Sequence, residues 1–199
     1  MKGSLVIVGF FLLGIVAGRW FGLPDTLPLS QVSFAALCAL MGCVGFTVGH
    51  DPATLARFRT LHPGVALLPL CTVVGTLAGS AAASLLTPHS AAEGMAVGAG
   101  FGYYSLSSIL ITGSKGPELG TIALLSNIIR ELITLLGAPL LVRWFGTLAP
   151  ISAGGATTAD TTLPIITRAS GDEMAVVSIY HGFVVDFSVP FLVTFLCSF

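Results

Sequence analysis

The chain has 199 residues, 54% of them hydrophobic and only 9% charged, with a net charge of −1 and a mean hydropathy of +0.96. An ordinary soluble domain carries roughly a quarter of its residues as charge, so this composition excludes a water-soluble fold and fits an integral membrane protein. With no basic block and no basic–aromatic interleaving, the sequence offers no footprint for nucleic acid.

The apolar runs are continuous and of helical length, whereas a membrane β-barrel shows alternating segments of about ten residues. Residues 3–21 form the first run. Lys2 before it gives the look of a secretory leader, but no small-x-small cleavage site with a polar start follows. It reads as a first membrane helix that ends at the interfacial pair Arg19-Trp20. Residues 32–49 form the second run, in which Gly42, Gly45 and Gly49 favour close packing. The most polar loop follows, from His50 to Pro63, with Arg57 and Arg59. Residues 64–86 form the third run, with Gly75 and Gly79 in a small-xxx-small pattern. Cys38, Cys43, Cys71 and Cys197 all lie inside apolar runs without metal-ligand spacing, so neither a disulfide framework nor a metal site is expected, and no cofactor.

Residues 94–113 differ in kind. Gly94, Gly98, Gly100, Gly102 and Gly113 interrupt an apolar segment that also holds Tyr103, Tyr104, Ser105, Ser107 and Ser108. Such a segment reads either as a discontinuous helix lining a cavity or as a Gly-rich helix packed tightly by its neighbours. Residues 118–143 form the central span, which places Asn127, Arg130 and Glu131 where the lipid is deepest. A charge there costs about 2.5–3.5 kcal/mol on insertion scales, so these groups are expected to face the bundle interior or a watered cavity. Asn127 and Glu131 share one helix face, while Arg130 lies about 100° round. Either they move a solute, or Arg130 forms a structural pair with a carboxylate.

Arg143-Trp144-Phe145 is a second interfacial anchor. Over 151–168, the stretch from Gly154 to Pro164 holds four threonines and Asp160, too polar to face lipid. It reads as a re-entrant segment or broken helix, the alternative being an exposed turn with Asp160 as an N-cap. The final run, 173–198, carries His181 and Asp186. His181 reads as a hydrogen-bonded core residue before a proton carrier, and Asp186 as a second buried acid or a partner of Arg130. The expected fold is an all-α integral membrane protein, a multi-span helical transporter bundle with two Gly/Pro-broken or re-entrant segments. Counting Lys and Arg in short loops favours an inside N-terminus; if 94–113 crosses, Lys2, Arg57, Arg59 and Lys115 are cytoplasmic, and Arg19 and Arg143 outside.

Four ordered motifs, Gly100 to Ser108, Ile129-Arg130-Glu131-Leu132, Gly155 to Pro164 and His181-Gly182-Phe183, resemble the bacterial lysine exporter family. The resemblance covers essentially the whole chain and is densest from residue 94 onward. It implies export of L-lysine and its toxic analogue thialysine across the bacterial inner membrane. It also implies important intramembrane acids matched by Glu131 and Asp160. A further family acid lies in an N-terminal membrane region with no match here. The chain, read as one transporter domain over 1–199, resembles the C-terminal part of an exporter whose missing spans come from a short membrane partner subunit, as in members split between two genes.

The expected mechanism exchanges L-lysine or a related basic amino acid for protons at buried carboxylates. Glu131 and Asp160 would hold either an ammonium or a proton, Arg130 would favour proton release, and Asn127, Ser105, Tyr104 and Thr161 would offer further polar contacts. The substrate carboxylate would sit at a helix N-terminus near Gly102 or Thr161. Two rivals are a non-transporting accessory subunit and an intramembrane hydrolase using Ser107 or Ser108 with His181.

Overall fold

The computed structural model describes residues 63–199, together with the scattered positions Leu13, Val16, Ala35, Ala39, Phe46 and His50. Apart from those positions, the expected spans 3–21 and 32–49, the Arg19-Trp20 anchor and the loop carrying Arg57 and Arg59 lie outside the described residues. The chain divides into two compact units, Met1–Cys38 and Ala39–Phe199, and the architecture that follows belongs to the second.

Every regular element among the described residues is helical. Helix α1 (Pro63–Ala66) continues into α2 (Leu68–Ser84), and the Cys71 N–H bonds the Leu67 carbonyl at 3.1 Å across the joint. With α5 (Pro117–Phe145) and α8 (Met174–Cys197), this gives three helices long and apolar enough to cross a membrane among the described residues.

The segment 94–113, expected to cross, instead turns back. It consists of α3 (Ala91–Gly98) and α4 (Tyr104–Lys115), joined by an unwound stretch. At about 1.5 Å per residue these limbs are about 12 and 18 Å long, each short of a hydrocarbon layer about 30 Å thick. The electrostatics show which way they run. Ser90 and Glu93 form a capping box at the start of α3. The Glu93 carboxyl is held below its ordinary value, first by the Ser90 backbone N–H and in smaller part by the charge of Lys115. Lys115, the last residue of α4, is thus within electrostatic reach of the first turn of α3. The chain enters and leaves at one end. Glycines let α3 lie close on α2: a Cβ added at Gly94 would stand 2.7 Å from the Ser84 Cβ, and one at Gly98 would run into the Ser80 hydroxyl. Among the described residues nothing approaches Gly75 or Gly79, and α2 meets α3 through Ser80 and Ser84.

The segment 151–168 is a second such hairpin: α6 (Ala149–Gly154), a 3-10 turn (Gly155–Ala159) and α7 (Leu163–Ser170). Ile151 on one limb and Ile166 on the other are buried together with Val177, with Val65, Leu68, Leu148 and Met174 around them. Those neighbours belong to the end of the molecule opposite Lys115. Cys197, at the far end of α8, is within electrostatic reach of Glu93 and Lys115. The order is thus a span, a hairpin from one end, a span, a hairpin from the other end, and a span. Hairpin-then-span occurs twice in opposite directions, as in inverted-repeat transporters.

Candidate functional site

The two hairpin tips meet midway. The first breaks because its backbone leaves helical geometry at Phe101 (φ +45) and Gly102 (φ +93). A left-handed non-glycine residue costs about 1–3 kcal/mol, and the surroundings of Phe101 hold it there. Its ring is fully buried, and its carbonyl accepts the Ala156 N–H at 2.9 Å. Gly155, at φ +64, faces that carbonyl so closely that an added Cβ would collide with it. The Gly102 N–H, freed by the break, donates to Asn127 Oδ1 at 2.7 Å. Asn127 Nδ2 donates to the Val97 and Ala123 carbonyls at 3.1 and 2.8 Å. In the second tip, threonine hydroxyls replace lost helix bonds. Thr157 Oγ1 donates to the Gly154 carbonyl at 2.9 Å and lies 3.1 Å from Thr162 Oγ1. Thr158 Oγ1 donates to the Gly155 and Ser178 carbonyls at 2.8 and 3.0 Å.

Beside the tips lies a cavity of about 490 Å³. Gly102, Tyr103, Tyr104 and Ser105 line it from the first hairpin, Thr157, Ala159, Asp160 and Thr161 from the second, and Glu131, Ile179, Phe183 and Asp186 from α5 and α8. Three carboxylates face it, and among the described residues no Lys, Arg or His lines it. Asp160 lies within electrostatic reach of Asp186, and both reach Tyr103. Helix α4 starts at this wall, so the positive end of its dipole is beside the acids. The arrangement suits a ligand with positive nitrogens and one anionic group.

Of the residues singled out in the sequence, Glu131, Asp160, Tyr104, Ser105 and Thr161 come together here. Asn127 and Arg130 do not line the cavity. Asn127 lies behind it as the clasp of the first tip. Arg130 borders a separate groove of about 640 Å³ with Thr72, Thr76, Ser126 and Ser152. Its Nε donates to the Ala153 carbonyl at 2.7 Å, Nη2 to the Ser152 carbonyl at 3.0 Å and Nη1 to Thr76 Oγ1 at 3.3 Å, while its guanidinium carbon is 5.7 Å from the Phe101 ring centroid. Among the described residues Arg130 pairs with neither Asp186 nor any other acid: the ion pair there is His89–Glu93, at 3.8 Å. The reason is the orphan carbonyls at the end of a six-residue helix, α6, of which a planar guanidinium satisfies two at once.

His181 is fully buried. Its Nε2 is 2.9 Å from Thr72 Oγ1 and its Nδ1 3.3 Å from Thr158 Oγ1. Two carbonyls take the Thr158 proton, so the fitting tautomer donates from Nδ1 and accepts from Thr72 at Nε2. Ser107 bonds its own helix at the Tyr103 carbonyl (2.9 Å), and Ser108 bonds the Ser105 carbonyl (3.3 Å). Among the described residues, neither serine hydroxyl bonds His181. The cavity also draws in Tyr103, Thr157 and Phe183, to which sequence reasoning gave no role of their own, and Asp186, read there as a second buried acid or a partner of Arg130. For Asp186 a signal existed, since an acid inside an apolar run needs a polar surrounding.

The family model of the lysine exporter LysO matches residues 8–197. Lysine exporter LysO of Escherichia coli strain K12 is 32% identical over 195 residues, which cover 98% of this chain and 64% of that protein. A candidate lysine exporter of Haemophilus influenzae is 31% identical over 196 residues, covering 98% of this chain and 96% of that one. The chain thus spans less than two thirds of the first relative and nearly all of the second. No solved structure matches.

Proposed function

Since the chain belongs to the lysine exporter LysO family, we propose that it exports L-lysine, and thialysine, across the bacterial inner membrane in exchange for protons. The observation that carries this reading is the mid-depth cavity between opposed hairpin tips, lined by three carboxylates and, among the described residues, by no basic side chain. Moving a cation out of a cell-negative compartment costs about 2.3 kcal/mol per 100 mV for each charge. Exchange for one proton cancels that electrical cost. Between them, Glu131 and Asp160 exchange the substrate ammonium for a proton, so that the two are not carried together. Tyr104, Ser105 and Thr161 hydrogen-bond the ligand, and the start of α4 receives its carboxylate. Asn127 and Arg130 serve at one remove, by holding the tips that shape the cavity.

Hairpins entering from opposite ends give each side of the membrane its own gate. The end bearing Arg143 and Arg168, preceded in sequence by Arg57 and Arg59, is more basic than the end bearing Lys115. We therefore place it in the cytoplasm, with the first hairpin and the end of α8 facing outward. This reverses the sides first expected for Lys115 and Arg143. This reading includes a short membrane partner that supplies further spans and an acid; the Escherichia coli relative extends beyond the match.

Proteoliposomes with an imposed pH gradient test the coupling. Lysine is expected to accumulate on the acidic side and to redistribute when an ionophore collapses the gradient. Lysine flux indifferent to the gradient would remove proton exchange.

A further inference from the structure

The two hairpin-and-span units use the same construction in opposite directions, and their comparison singles out Asp186. In the first, Asn127 of α5 holds the tip of the preceding hairpin through the Gly102 N–H at 2.7 Å. One helical turn on, and so on the same face, Glu131 lines the cavity. In the second, Gly182 of α8 is where the tip of the preceding hairpin presses closest: an added Cβ would stand 2.5 Å from the Ala159 nitrogen and 2.7 Å from Thr158 Oγ1. One turn on, Asp186 lines the same cavity. Depth agrees as well. Glu131 is the middle residue of Pro117–Phe145, and Asp186 falls at the middle of Met174–Cys197. The two acids are therefore counterparts, projected from opposite spans into one space.

Neither is committed to another of the described residues. Among the described residues, no hydrogen-bond donor or basic side chain meets the carboxylate of Glu131 or Asp186, and both side chains are half-buried. Arg130 and His181, by contrast, are bonded within the bundle, Arg130 to the Ala153 and Ser152 carbonyls and His181 to Thr158 and Thr72. A mid-depth carboxylate without an internal partner obtains its compensation from a ligand or a proton.

Resting on the lysine-export reading above, we propose that Asp186 is a further substrate-binding residue: Asp186 and Glu131 each take one of the two ammonium groups of a basic amino acid. The site then selects molecules with two separated cationic nitrogens, and Asp160, carried on a hairpin tip, is the acid left to exchange its proton as the tip moves. A site built around a charged group of its substrate rejects an analogue lacking that group far more strongly than it rejects a change in length, because its own buried group is left unpaired. Norleucine, which has the length of lysine without the terminal ammonium, is thus excluded, while ornithine competes.

The test uses the full chain with any co-purifying partner in proteoliposomes, comparing wild type, Asp186→Asn, Asp186→Glu and Asp186→Cys. Asp186→Asn is expected to raise the KM for lysine at least about tenfold and to narrow the preference for lysine over norleucine by a similar factor, with Asp186→Glu recovering much of both. Asp186→Cys keeps the question open to measurement even if transport is lost. Saturating lysine should slow its reaction with a water-soluble thiol reagent, and norleucine should not. A KM within twofold of wild type in Asp186→Asn, or labelling of Asp186→Cys unaffected by lysine, overturns the proposal. Failure of the wild type itself to move lysine would instead overturn the export reading, a distinct result.

Discussion

Arg130 and Glu131 are adjacent in sequence yet serve different surroundings. The 100° step between neighbours on a helix turns Glu131 toward the acidic cavity and Arg130 toward the carbonyls of Ser152 and Ala153. Spacing alone could put both at mid-depth; it could not say that the arginine would be spent on backbone. Arg130→Ala leaves two half-buried carbonyls without donors, at up to about 1–3 kcal/mol each. A fall in the thermal midpoint in detergent is the expected result, with Arg130→Lys recovering less than half of it because an ammonium lacks the planar fork. An Arg130→Ala protein as stable as wild type would show that the clamp contributes nothing. Asp186 was visible as an acid in an apolar run, but its place opposite Glu131 depends on the rotation of α8 against α5, which no single-helix pattern encodes.

At the scale of elements, the glycines and threonines told where helices would break, and the breaks fall between Gly98 and Tyr104 and between Gly154 and Leu163. They did not tell direction. A glycine-broken apolar run of about twenty residues has the length of a crossing span, and hydropathy is the same whether the chain continues or reverses. The decisive feature is the proximity of Glu93 to Lys115, a long-range fact. Gly155 is where the two hairpins depend on each other most. Its φ of +64 and its contact with the Phe101 carbonyl leave no room for a side chain. Gly155→Ala is expected to cost about 1–3 kcal/mol in backbone strain alone, and to impair transport beyond any loss of folded protein by pushing the tips apart. Gly79→Ala, at a point of α2 that nothing among the described residues approaches, should leave stability unchanged or raise it by up to about 1 kcal/mol. Equal damage from the two substitutions, measured by thermal unfolding and lysine flux, would contradict this assignment.

For the whole molecule, the all-helical membrane class was legible from composition, whereas sidedness was not, because it turns on whether each broken segment crosses. With both hairpins re-entrant, single cysteines placed at Gly116 and Gly171 lie at opposite ends of the described bundle. In intact cells a membrane-impermeant thiol reagent should label the first and spare the second until the membrane is opened. Labelling of both, or of Gly171→Cys alone, would reverse or dissolve the proposed orientation. The central claim is that carboxylates kept at mid-depth give a positively charged amino acid its resting place on the way out. Its most direct test is lysine efflux from preloaded cells that have no other exporter and carry a Glu131→Gln, Asp160→Asn double variant. With normal amounts of folded protein in the membrane, efflux should fall to the rate of cells without the protein. Efflux at the wild-type rate would contradict the claim.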